Sequence, residues 1–181
     1  RLKTVLLDNE SDRRGGSDNA FTGQDYTAFH QEIAKADLPL IMEMEADRMT
    51  NSIFAEKEVS SERTVIISER EGHENEPMFL LGEAIQNAAF RVHPYHHEII
   101  GDMADLRTIT RDDLYQHYRT YYVPNNAILS IAGDFETKSM LKRIRELFER
   151  IPSGETPSRL ARPEPERRGE LRLTVEGPGE T

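Results

Sequence analysis

The sequence predicts an α+β fold, a mainly antiparallel sheet covered on one face by helices. Three observations carry that expectation. Apolar residues recur at helical spacing in several stretches. Other stretches alternate, or run continuously apolar, as strands do. The two kinds follow one another without a regular βαβ repeat.

Taken in chain order, residues 2–7 lie in an apolar pattern that reads as the end of a helix, and Gly15-Gly16 breaks it. Residues 19–33 read as two strands around Thr22-Gly23-Gln24-Asp25, with Phe29 and Ile33 on one face. Residues 38–53 read as a helix with Asp37 as its N-cap, Pro39 in the first turn, and an apolar stripe at helical spacing of Leu38, Ile41, Met42, Met44, Glu45 and Met49. A second helix spans residues 55–74, with Val59, Val65, Ile66 and Ile67 as its apolar positions. Pro77 opens a third, which runs to Phe90. Residues 93–105 read as a loop. Thr110 caps the next helix, Asp113 completes an approximate capping box, and Pro124-Asn125-Asn126 ends it. Residues 127–133 are nearly all apolar and predict a buried central strand. Residues 137–151 form a final amphipathic helix. The expected organisation is a domain over residues 1–152, a proline-rich, charged linker over 153–170, and a strand within 171–181 that opens a following unit.

Composition narrows the function classes. Lys plus Arg is 23 against 33 for Asp plus Glu, a formal net charge of −10. An acidic chain gains nothing from counterion release on a phosphate backbone, so nucleic acid is not an expected partner. No basic run suits an anionic membrane surface, and no apolar run reaches the ~18 residues of a membrane span. The absence of Cys excludes disulfides, thiolate zinc sites and a thiol nucleophile.

Chemistry could sit in three places. Glu62 and Glu69 are seven residues apart, which places them on one helix face with Val59 and Ile66. Carboxylates on an apolar stripe call for a positive neighbour, either a metal or an Arg or Lys, unless the face is simply solvated. His93-Pro94-Tyr95-His96-His97-Glu98 holds three His and a carboxylate, but in a proline-containing loop; it reads as a metal site or as packing and capping groups. Asn19-Ala20-Phe21-Thr22, beside the glycine turn, could be an exposed edge that pairs with an extended peptide, or an ordinary strand. No phosphate-binding glycine loop, G-x-S-x-G or H-E-x-x-H occurs.

An ordered series of motifs runs through nearly the whole chain. It comprises Gly15-Gly16-x-x-Asn19-Ala20-Phe21-Thr22, Asp25-Tyr26-Thr27, Glu45-Ala46-Asp47-Arg48-Met49, Glu62-Arg63-x-x-Val65-x-x-x-Glu69 and His93-Pro94-Tyr95. It continues through Ile100-Gly101, Asp105-Leu106, Tyr121-Tyr122-x-Pro124-x-Asn126-Ala127, Gly133-Asp134-Phe135 and Ile151-Pro152. In this series the chain resembles the insulinase/pitrilysin family of zinc metallopeptidases, the inverted zincins. The resemblance implies the metallohydrolase fold of the insulinase and mitochondrial processing peptidase type. It implies Zn2+ as cofactor, with Glu69 as a metal ligand and Glu62 supporting it on the same helix. It places Asn19, Ala20 and Phe21 on a substrate-binding edge strand, and it gives the His93 loop a structural role. In the family the other ligands and the general base come from H-x-x-E-H on an earlier helix. By that arrangement the motif falls before Arg1, so the chain reads as an N-terminally truncated piece, expected alone to bind zinc poorly and hydrolyse nothing. The implied parent is a metalloendopeptidase that acts on peptides or unfolded polypeptide segments and is partnered by a second homologous unit. Family habit and the lack of Cys favour a periplasmic or secreted bacterial location. The rival expectation is a non-catalytic homologue that holds substrate or a partner subunit.

Overall fold

The structure, a computed structural model, describes residues 10–155, 157–158 and 162–176. The chain divides into two compact units: Arg1–Phe54 with Asp112–Ser158, and Ala55–Arg111 with Arg159–Thr181. The helix end expected over residues 2–7 lies outside the described residues.

In the first unit, residues 10–13 are helical and end where Gly15 adopts φ +68°, a conformation that costs glycine little. Gly16 is required for a different reason. A Cβ there would lie 2.5 Å from Ile33 Cδ1 and 2.7 Å from the Glu32 carbonyl oxygen. The chain then enters β1 (Ser17–Thr22), which pairs antiparallel with β2 (Thr27–Glu32) in a register running from Ser17↔Glu32 to Thr22↔Thr27. The Gly23 N–H donates to the Tyr26 carbonyl at 2.8 Å and closes the hairpin.

Helix α1 (Leu38–Asn51) buries Ile41 and Met44 against Ile33 and Leu40, and buries Met42 and Ala46 on a second cluster. That second cluster contains Leu147 of α6 (Thr137–Phe148), with Ile131, Ile144, Phe148 and Ile151 packed around it. The apolar stripes read from sequence therefore do meet. Asp37 does not cap α1 through its side chain, because its carboxylate is taken by Arg14. Helix α5 (Arg111–Tyr121) is joined to α1 by the buried Tyr118, whose hydroxyl donates to the Arg48 carbonyl (2.8 Å) and accepts from the Ser52 N–H (3.3 Å).

In the second unit, α2 (Glu56–His73) packs on the short α4 (Met103–Thr108), and α3 (Pro77–Ala89) packs on a single 3-10 turn, Pro94–His96. Helix α4 replaces the end of the loop expected over 93–105. Its six residues offer only Met103 and Leu106 at helical spacing, too little periodicity to read from sequence. Gln86 ties α3 to the loop by donating to the carbonyls of Tyr95 and His97. Residues 162–168 lie along the end of α3. The Glu164 carboxylate accepts from the backbone N–H groups of Arg91, Val92 and His93, and Arg167 donates to the carbonyls of Ala88 and Ala89.

The mainly antiparallel sheet is a correction. Among the described residues the only sheet is the two-stranded β1–β2 ribbon, and helix predominates. Residues 127–132 and 171–176 carry no strand pairing, and Ile128, expected in a buried strand, is 98% exposed. An apolar run supplies strand propensity, but a strand also needs a neighbour to take its backbone hydrogen bonds. Among the described residues no helix is long and apolar enough to cross a membrane.

Candidate functional site

Helix α2 begins after Ala55, which is extended, and carries Glu56 and Glu58 in its first turn and Arg70 and His73 in its last. The acidic first turn and the Arg70 guanidinium near the end suit the helix dipole. Glu62 and Glu69 lie on one face, about 10 Å apart along the axis at ~1.5 Å per residue. Both are exposed, and neither takes part in a hydrogen bond or ion pair among the described residues. Of the alternatives open for this face, the solvated one is observed. The two carboxylates sit beside the covered side of α2, not within it, so there is no buried negative charge to neutralise. Val59 belongs to the covered side and is buried.

Arg70, next to Glu69 in the chain, is engaged elsewhere. Arg70 is buried and bonds to Glu74 and Glu83. Burial disfavours its cation, yet the hydrogen bonds to Glu83 and Glu74 outweigh that and leave its pKa raised. Glu62 and Glu69 thus carry carboxylates with no partner among the described residues, a form in which a hard or borderline cation can use them.

A zinc site needs more than Glu69. Zinc is held tetrahedrally by His, Cys or carboxylate groups from several positions. Among the described residues no group of three His, Cys, Asp or Glu is placed to hold a metal ion. Glu69 thus stands without the further ligands that a zinc ion needs among the described residues. The His93 loop is no alternative. His93 Nδ1 accepts from the Tyr95 N–H at 3.2 Å and its ring packs against Tyr95 at 4.4 Å, while His97 Nδ1 lies 3.2 Å from Asp102 Oδ2. These are capping and packing contacts.

In the other unit, Asn19, Ala20 and Phe21 are all exposed on β1. Among the described residues β1 has β2 as its one neighbour, so its other edge is open to strand addition. The Ala20 N–H donates to Asn19 Oδ1 at 2.8 Å, a partner that an incoming backbone carbonyl would have to displace. Phe21 is 52% exposed and packs edge-on against Tyr26 at 5.8 Å, which gives the ribbon an apolar, aromatic surface.

What anchors this ribbon was missed by sequence reasoning. Gln31 donates to Glu45 at 2.8 Å, Glu45 pairs with Arg48, and the Arg48 guanidinium lies 4.0 Å from the centre of the Phe29 ring. These contacts fasten β2 to α1 and leave β1 outermost. The signal was present in Glu45-Ala46-Asp47-Arg48, which stood out as a motif segment without a physical role attached.

Comparison with known proteins gives these geometries a context. The family model for insulinase (peptidase family M16) matches residues 3–103, and that for the peptidase M16 inactive domain matches residues 108–181. An uncharacterised zinc protease of Streptomyces coelicolor is 28% identical over 179 residues, an alignment that covers 98% of this chain and 38% of that protein. The crystal structure of a protease from Helicobacter pylori superposes with a TM-score of 0.82 at 30% identity, covering 87% of this chain and 38% of that one. The first half of the periplasmic protease PqqL from Escherichia coli shares the fold, with a TM-score of 0.71 at 24% identity over 83% of this chain and 33% of that one. The chain thus spans well under half the length of each of these proteins.

Proposed function

This chain belongs to the insulinase family of peptidases (peptidase family M16), and from that footing we propose that it forms part of a zinc-dependent metalloendopeptidase. The observation that carries the reading is the pair Glu62 and Glu69, exposed on one face of α2 and without a hydrogen bond or ion pair among the described residues. Glu69 supplies a carboxylate oxygen to the metal. Glu62, two turns earlier on the same face, supports the site by hydrogen bonding to groups that orient its ligands. When bound, zinc supplies Lewis-acid polarisation of the scissile carbonyl and an acidified water. The open edge of β1 takes the substrate backbone as an added strand, with Asn19 and Ala20 at the contact and Phe21 offering an apolar surface to side chains. A peptide or unfolded segment can present such a strand, whereas a folded protein with its edges paired cannot. The remaining ligands and the general base come from outside the 181 residues, which contain no H-x-x-E-H. A second homologous unit partners this one, and the parent acts in the periplasm or outside a bacterial cell.

The test is metal binding by the intact parent. Glu69→Gln should abolish stoichiometric zinc and peptide hydrolysis, while Glu62→Gln should weaken zinc binding by about 10–100-fold. Full zinc retention in Glu69→Gln would refute the reading.

A second reading has one observation in its favour. Residues 108–181 match the inactive-domain model, so the parent could be a non-catalytic homologue that binds substrate or a partner subunit. In that case the wild-type parent carries no zinc, and neither substitution has an effect.

A further inference from the structure

Arginine is seldom buried without a purpose for its five donors. Arg70 is only 5% exposed, and it stands next to the exposed Glu69. Its Nε donates to Glu74 Oε1 at 3.0 Å on the run-out of its own helix. Its Nη2 donates to Glu83 of α3, and its Cζ lies 4.9 Å from the centre of the Phe79 ring. His73 covers the same ring at 5.2 Å. One planar guanidinium thus joins two helices and an aromatic face, a geometry that a lysine ammonium cannot reproduce.

The buried residues of α2 are Val59 and Arg70. They lie about three turns apart, one toward each end of an 18-residue helix. Val59 anchors the first third. On the turns that carry Glu69, Arg70 is the buried side chain and its bond to Glu83 ties them to α3, while Glu69 is exposed and makes no hydrogen bond or ion pair among the described residues. A metal ligand has to be held within about 0.5 Å of its productive place. Buried ion pairs are weak sources of stability and can often be replaced by apolar residues at little cost, so a retained one is better explained by what it fixes in space.

We propose that Arg70 is the positioning residue for Glu69: by clamping the end of α2 to Glu83 of α3, it sets where the Glu69 carboxylate is presented. This rests on the reading of Glu69 as a zinc ligand.

Two measurements test it. In the 181-residue chain without metal, Arg70→Met should speed amide exchange across residues 66–73 and leave residues 56–61 unchanged. In the intact parent, Arg70→Met should raise the zinc dissociation constant about 10–100-fold, as loss of an orienting partner does. It should also lower kcat with little change in KM. Glu83→Gln, which keeps Arg70 and serves should the Met variant fail to fold, should move the same readouts in the same direction. The charge-swapped pair Arg70→Glu with Glu83→Arg should recover part of the zinc affinity. Wild-type zinc affinity in both single variants would overturn the proposal. If Glu69→Gln also binds zinc normally, the fault lies in the reading of Glu69; if only that variant loses zinc, the fault lies with Arg70.

Discussion

At the start of α6 the Glu136 carboxylate accepts from the Lys138 N–H at 3.0 Å and the Ser139 N–H at 2.7 Å, two donors that have no helical partner of their own. These backbone bonds lower the Glu136 pKa below its ordinary 4.5. The sign of the linkage follows. A carboxylate with a lower pKa in the folded chain adds stability above about pH 4.5, and that contribution is lost as pH falls through the folded value. Glu136→Ala should therefore melt below wild type at pH 7, and the two melting temperatures should converge toward pH 3. A difference that persists at pH 3 would mean that the side chain acts by packing. The same scale shows where residue identity misleads. Asp is a favoured N-cap and Glu is not, yet Asp37 is drawn away by Arg14 while Glu136 caps. Preference describes what a residue can do locally; a cation from 23 positions away decided the first case.

Elements held together by contacts close in sequence were legible, and those that depend on distant partners were not. The β1–β2 hairpin announces itself through alternation around Gly23, and α1 and α6 through stripes that meet at Met42, Ala46 and Leu147. The seven-residue spacing of Glu62 and Glu69 likewise fixes their common face. That Arg70 would bond to Glu83 on α3 could not be read, because no local rule links positions 13 apart on two helices. The stretch over 153–170 read as a linker from its prolines and charge, and nothing in that composition tells a tether from a strap. Glu164 and Arg167 satisfy backbone groups of opposite polarity at the end of α3: N–H groups of residues 91–93 and carbonyls of residues 88–89. Burial disfavours the Glu164 charge, but the three N–H bonds outweigh it and its pKa is lowered. Glu164→Gln, which keeps the shape and removes the charge, should increase amide exchange at residues 91–93 and open residues 162–168 to limited proteolysis at neutral pH. Unchanged protection at both places would show that the strap is held by something other than this carboxylate.

For the molecule as a whole, the distribution of apolar surface outweighs the total. Ile128 is 98% exposed and Leu129 48%, on a stretch whose third large apolar residue, Ile131, packs into the α1–α6 cluster. An extended run with one anchored residue and two bare ones is shaped like a sheet strand awaiting neighbours, and single exposed apolar residues of this kind usually need no explanation while a contiguous run does. The relatives supply the missing term: this chain covers 38% of the Streptomyces protease and 38% of the Helicobacter one, so most of each lies in sequence beyond the match. The expectation is that in the intact parent further chain pairs with residues 127–132 and covers Ile128. Burying such a side chain is worth about 1.5–3 kcal/mol, and placing a carboxylate there costs more still. Ile128→Asp should thus leave the melting temperature of the 181-residue chain unchanged and lower that of the parent by several degrees. The isolated chain should also bind a hydrophobic dye that the parent excludes, with its net charge of −10 keeping it dispersed. A parent indifferent to Ile128→Asp would mean that this stretch is a true surface, and its apolar run would then mark a contact with another protein.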